Sequence, residues 1–133
     1  MTPRDQQRLV GIHPMLVQAI SRVLDEMDAE GTPMFVVQGI RSTEQQQVDY
    51  AKGRTTPGSI VTNCDGVTHK SPHQVHDDGL GYAVDCAFIG PQPFDTRWPW
   101  ELFGSKLEEY GIVWGGRFHH PVDKDHAELR IGD

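Results

Sequence analysis

The chain has 133 residues, 37% of them apolar, and a formal charge of −7 at neutral pH, which suits one folded domain with a core of its own. That charge argues against a nucleic-acid backbone as the main partner, because such proteins carry a basic face, and no stretch is apolar for long enough to span a bilayer. The start, MTPRDQQRLVG, holds no apolar signal-peptide core, so synthesis in the cytosol without the usual export signal is expected.

In chain order, Leu9, Val10 and Ile12 suggest a short helix or turn before the first long element. Between 14 and 29 the residues Leu16, Val17, Ile20, Val23, Leu24 and Met27 recur at helical spacing, with Pro14 suited to the first turn and Gly31 just past the end. The apolar run 34–37 has strand length and stops at Gln38 and Gly39. Ser42 followed by Gln45 has capping-box spacing and predicts a helix from 43 to 51 or 52, closed by Gly53. GRTTPGSIVTNCDGVTHK is a long loop, and loops of that length inside a compact domain are often functional.

The segment 82–89 reads as a buried strand, 100–110 as a helix opened by Pro99 and closed by Gly111, 112–114 as a short strand and 126–131 as a final strand. The predicted fold is α+β, with a small, mainly antiparallel sheet flanked by helices. Cys64 and Cys86 have neither CxxC spacing nor a disulfide-rich frame. Cys86 follows Asp85 directly, so on a strand it faces the other side and reads as a small core residue, while Cys64 reads as a free thiol.

Asp85 is the residue that does not belong. It puts a carboxylate in the run GYAVDCAF, where an aliphatic side chain is expected, and a buried carboxylate is costly unless it is paired or bound to a cation. His73 lies shortly before it, and His119, His120 and His126 lie near the end of the chain. Imidazole and carboxylate together suit zinc, whose catalytic sites use three protein ligands and a water. The plainer alternative is that Asp85 caps a neighbouring turn and the histidines are unrelated.

Four stretches, in order along nearly the whole chain, carry a resemblance. GIRSTEQQ at 39–46, GRTTPGSIVTN at 53–63, SPHQ with GYAVD around His73 and Asp85, and WGG followed by DKDHAE near the end match a shared pattern. The chain resembles the VanY-like zinc peptidases, the D-alanyl-D-alanine carboxypeptidase and L-alanyl-D-glutamate endopeptidase family, which includes many phage endolysins. The resemblance implies that His73, Asp85 and His126 hold Zn2+ in a cleft on the sheet. It implies that Asp123 is the base and that Arg41 lies near the substrate or the developing oxyanion. Glu128, two residues from His126, is the competing base. Ser71 is expected to support the first ligand or touch substrate, and Trp114 to be a core aromatic or a pocket wall.

The chain departs from the family in two places. His73 and Asp85 lie twelve residues apart, a wider spacing than is usual, and the additional residues in VHDDGL bring in His76, Asp77 and Asp78 as competitors. Asp125 stands where the family has a proline. His119 and His120 match no ligand position and read as solvated loop residues; His13 and His69 have no expected metal role, although His69 lies close enough to support the site from outside.

The expected function is that of a zinc-dependent peptidase of peptidoglycan stem peptides, cutting between L-Ala and D-Glu as a monomeric phage lysis enzyme. The whole chain, 1–133, would be one catalytic domain with no separate wall-binding domain. It would act at the wall after the membrane is breached, without nucleic-acid partners or membrane insertion. The alternatives are a D,D- or L,D-carboxypeptidase of wall turnover and a non-catalytic zinc-binding module.

Overall fold

The first helix has almost no apolar residue to announce it. In the computed structural model, which describes residues 1–119 and 121–131, α1 spans Pro3–Arg8 and ends just before Leu9, where the short helix or turn is expected to begin. A reciprocal capping box starts it: the Thr2 hydroxyl accepts from the Asp5 backbone N–H, and the Asp5 carboxylate accepts from the Thr2 N–H. The other oxygen of Asp5 accepts from the Val36 N–H at 2.9 Å, and Arg8 donates to the Val36 carbonyl at 2.7 Å. A polar face therefore docks on a strand, which explains how Asp5 can be buried.

The periodic stretch forms α2, Pro14–Ala29, with Leu16, Ile20, Val23, Leu24 and Met27 buried. Its N-cap is His13, whose Nδ1 accepts from the Met15 N–H at 3.1 Å. The strands are β1 (Met34–Gln38), β2 (Ala83–Phe88), β3 (Val113–Trp114) and β4 (His126–Glu128), and between them lie α3 (Thr43–Ala51) and α4 (Trp100–Glu109). The sheet order is β1-β2-β4-β3, and every neighbouring pair is antiparallel. Between the end of α3 and the start of β2 no helix or strand is present among the described residues.

The last strand is shorter than expected, because β3 offers only two residues to pair with Glu128 and Ala127. One further bond, from the Leu129 N–H to the Tyr82 carbonyl at 2.8 Å, ends the ladder.

Alternation along the two central strands separates the core from the cleft. Val84, Cys86 and Phe88 of β2 and Ala127 and Leu129 in and beyond β4 join α2 and α4 in the apolar core. Asp85, His126 and Glu128 take the opposite face. β1 adds a device of its own, an irregularity between Val36 and Gln38. In regular register Val37 would lie opposite Asp85; the extra residue puts Gln38 there instead, and Gln38 Oε1 and Asp85 Oδ2 both reach the Arg41 guanidinium.

Candidate functional site

Three donor atoms converge on the cleft face of the sheet. Asp85 on β2 and His126 on β4 are cross-strand partners, and His73 comes from the loop before β2. His73 Nε2 lies 3.2 Å from Asp85 Oδ1, His126 Nδ1 lies 3.3 Å from the same oxygen, and the two nitrogens are 3.2 Å apart. A tetrahedral ion bound at about 2.0 Å to each donor requires the donors to stand about 3.3 Å apart. Asp85 Oδ1 has no hydrogen-bond partner among the described residues, although all three side chains are buried. A buried carboxylate oxygen without a hydrogen bond, faced by two imidazole nitrogens at this spacing, fits a cation.

The far side of each imidazole is tied down in a way that suits ligation. His73 Nδ1 lies 2.9 Å from the Gly39 carbonyl, so the proton sits on Nδ1 and the Nε2 lone pair faces the centre. His126 Nε2 lies 2.9 Å from Glu128 Oε1, so there the proton sits on Nε2 and the Nδ1 lone pair faces inward. The outer partner selects the tautomer, as in carboxylate–histidine–zinc arrangements. Burial works against charge on His126, but the carboxylates of Asp85 and Glu128 outweigh it and lift the ring to about 10. Asp85 is displaced the other way: burial raises it, yet the two imidazoles outweigh burial and hold it well below the usual carboxylate range. The pocket therefore favours positive charge at its centre.

Local hydrogen bonds explain why His73 rather than His76 points inward. The Arg41 N–H donates to the His73 carbonyl at 2.8 Å, and the His73 N–H donates to Ser71 Oγ at 3.2 Å. Gln74 accepts from the Ser71 N–H at 2.8 Å and donates to the Gly66 carbonyl at 3.0 Å and to Thr43 Oγ1 at 3.2 Å. His76 lies elsewhere, stacked on Tyr82 with ring centroids 4.0 Å apart, and Asp78 bonds the Tyr82 hydroxyl. The inserted residues thus fold onto Tyr82, away from the three donors.

Gly39 and Gly115 are places where the chain must come very close. A Cβ at Gly39 would lie 2.3 Å from the Arg8 carbonyl oxygen, and one at Gly115 would lie 2.2 Å from the Asp123 carbonyl oxygen and 2.8 Å from His126 Cβ. Gly115 also accepts from the Asp123 N–H at 2.9 Å. The WGG turn therefore clamps the loop that carries Asp123 and His126.

Asp123 Oδ2 lies 3.8 Å from His126 Nδ1 and borders a cavity of about 330 Å³ that also takes in Arg41, Ser71, His73, His126, Glu128 and Arg130. Burial and a hydrogen bond with Asp123 push Asp125, the residue that stands where the family has a proline, well above the ordinary carboxylate range. Both oxygens of Glu128 are already engaged, one by His126 and the other by Arg130. Burial raises Glu128, but those two partners outweigh it and lower its pKa.

Arg41 is held rigidly. It donates to Gln46 Oε1 at 2.6 Å and to Gln38 Oε1 at 3.0 and 3.2 Å, and its Nη2 lies 3.6 Å from Asp85 Oδ2. Trp114 does not border the cavity; it lies in the core, and its indole N–H donates to the Lys124 carbonyl at 2.7 Å, in the loop between Asp123 and His126. His119 and His69 are exposed, and His120 falls outside the described residues.

Two buried glutamines were not legible as site residues. Gln46 is fully buried and ties Arg41 to the opposite wall through Thr62 Oγ1 at 3.1 Å and the Cys64 carbonyl at 2.8 Å. Gln74 does the same for the turn that presents His73. On a helix such as α3, a glutamine ordinarily reads as solvated.

No protein-family model matches the chain. The peptidoglycan L-alanyl-D-glutamate endopeptidase CwlK of Bacillus subtilis is 25% identical over 130 residues, covering 89% of this chain and 73% of that protein. Among solved structures, the L-Ala D-Glu endopeptidase ChiX of Serratia marcescens superposes with a TM-score of 0.58 at 22% identity, covering 98% of this chain and 89% of that one. A vancomycin-resistance D,D-pentapeptidase VanY, solved in complex with Zn(II), gives a TM-score of 0.61 at 18% identity, covering 89% and 72%. With His73, Asp85 and His126 gathered at the spacing of zinc ligands, the chain is similar in sequence to CwlK and in fold to ChiX and VanY.

Proposed function

We propose that this protein is a zinc-dependent peptidase of peptidoglycan stem peptides that cuts between L-Ala and D-Glu. The observation that carries the reading is the triangle of His73, Asp85 and His126 with an acid, Asp123, beside its open side. A purely structural zinc site is closed by four protein ligands and needs no neighbouring base. The choice of bond follows CwlK and ChiX, which are named for that cleavage.

Zinc, when bound, supplies an acidified water and polarises the scissile carbonyl. The remaining work falls to the chain. His73 and His126 present lone pairs because Gly39 and Glu128 hold their protons on the far nitrogens. Asp123, held in place by its backbone bond to Gly115, takes a proton from the attacking water and returns it to the leaving amine. Glu128 is poorly placed for that task, since both of its oxygens are occupied. Arg41, permanently charged and fixed by Gln38 and Gln46, faces the carbonyl oxygen as charge develops on it.

Mass spectrometry of peptidoglycan digested with and without a chelator tests this reading. New amino-terminal D-Glu, lost on chelation and restored by zinc, is the expected result. Release of terminal D-Ala alone would turn the assignment to a carboxypeptidase, and no metal-dependent product would leave a binding module. The resemblance to phage endolysins extends the proposal to host lysis, for which loss of turbidity in membrane-permeabilised bacteria is the measure.

A further inference from the structure

One side of the cavity at the metal centre is a run of consecutive residues. Val61, Thr62, Asn63 and Cys64 all border it, and no helix or strand among the described residues includes them. With no ladder to place it, this run takes its position from the side chains that reach it. Gln46 holds it through Thr62 Oγ1 and the Cys64 carbonyl. A second hold comes from Arg54, which does not itself border the cavity.

The chain brings Arg54 within reach by turning sharply at the end of α3. Gly53 has φ 77°, a left-handed value that glycine adopts at little cost. A Cβ on it would lie 2.8 Å from the Ile60 backbone nitrogen, so the loop comes back upon its own start there. Arg54 Nη1 donates to the Tyr50 carbonyl at 2.7 Å and to the Thr62 carbonyl at 3.0 Å, and Nη2 donates to Asn63 Oδ1 at 3.1 Å. The guanidinium carbon lies 3.9 Å from the centroid of the Tyr50 ring. One planar fork, stacked on an aromatic face, therefore joins the last turn of α3 to the wall.

All three acceptors are neutral and all three bonds are exposed, so water competes for them and they add little to global stability. What they fix is a distance. The helix they hold to the wall is also tied to the site, since Gln46 on α3 accepts from Arg41. Arg41, α3 and the wall form one connected unit, with Gln46 as its buried link and Arg54 as its exposed one.

We propose that Arg54 is a positioning residue for the substrate: it holds Thr62 and Asn63 at the width at which the cleft grips the peptide, without touching the peptide itself. That the gripped molecule is a peptide rests on the peptidase reading. The wall carries neither a metal donor nor the base, so loosening it weakens the bound substrate and the transition state alike, which raises KM and leaves kcat unchanged.

Steady-state kinetics and backbone 15N relaxation of the zinc-loaded wild type, Arg54→Ala and Arg54→Lys test this. Arg54→Ala is expected to raise KM about tenfold, inside the hundredfold that a misplacement of about 1 Å can cost, with kcat, zinc content and denaturation midpoint as in the wild type. Order parameters at residues 61–64 should fall from about 0.85 to below about 0.6, while those at 83–88 and 126–128 stay as they are. Arg54→Lys keeps the charge and loses the fork, so it should behave as Arg54→Ala does; wild-type KM and order parameters in the lysine variant would overturn the proposal.

Wild-type KM in Arg54→Ala, or a lower kcat with loosening at 83–88 and 126–128, overturns the positioning role while cleavage by the wild type upholds the peptidase reading. If the wild type cleaves no stem peptide, the peptidase reading falls and relaxation alone decides. Loosening confined to 61–64 then supports the hold of Arg54 on the wall, and unchanged order parameters overturn it.

Discussion

The floor and the wall of the cleft are built on different principles. The floor is a β-sheet: Asp85 and His126 are cross-strand partners, and their positions follow from the backbone ladder between β2 and β4. The wall, from the end of α3 to His73, has no ladder, and single side chains hold it, chiefly Gln46 and Gln74. A ladder shares its load among many equivalent bonds. A side-chain tether concentrates the load, so each buried glutamine is a point where the wall can fail separately from the floor.

The largest effects are expected at the ligands. Asp85→Ala or His73→Ala should lose zinc and all measurable turnover, read by metal analysis alongside the digestion assay; retention of stoichiometric zinc by either variant would remove that residue from the ligand set. Asp123→Ala should keep zinc and lower kcat by about a thousandfold. Normal hydrolysis by this variant would move the base to Glu128. Glu128→Gln should weaken zinc binding by about tenfold to a hundredfold, because the ring loses the carboxylate that holds its proton on Nε2; competition with a chromogenic chelator measures this.

The wall predicts a different pattern. Gln46→Ala leaves the Cys64 carbonyl and Thr62 hydroxyl without their buried partner, which costs about 1–3 kcal/mol. Denaturant unfolding should show that loss and kinetics a raised KM, with zinc affinity close to that of the wild type. A parallel fall in zinc affinity would mean that floor and wall are one unit.

The smallest effect concerns protons. His126 is raised to about 10, above its ordinary value, so its ring is charged through neutral pH, and zinc has to displace that proton. Affinity should therefore rise with pH up to about 10. Calorimetry in buffers of different ionisation enthalpy should find about one proton released at neutral pH.

The same contrast decides what could be read from the sequence. Strong periodicity announced α2, and an apolar run announced β2. Asp85 stood out because its neighbours are apolar, and the donor set then needed only partners of the right type. The resemblance supplied His73 over His76; its physical basis, the hydrogen bonds around Ser71 and Gln74 and the stacking of His76 on Tyr82, depends on chain segments far apart in sequence. Gln46, buried on a polar helix, looked like any solvated glutamine, since its partners come from a loop without periodic pattern. The helix α1 went unread because PRDQQR has no apolar face; only Thr2, Pro3 and Asp5 could have marked its start. Trp114 had two possible locations, and the indole hydrogen bond to Lys124 explains its core position.

The docking of α1 on β1 also bears on solubility. β1 is the outermost strand on its side of the sheet, and an outermost strand with free amides and carbonyls is a template on which another molecule can add its own. Asp5 and Arg8 occupy both backbone groups of Val36, midway along that strand. Two side chains thus do for Val36 what a fifth strand would do, without offering a new edge. A chain shortened past Arg8 would bare Val36, and its first failing should be self-association into sheet-rich aggregates, ahead of any loss at the metal centre.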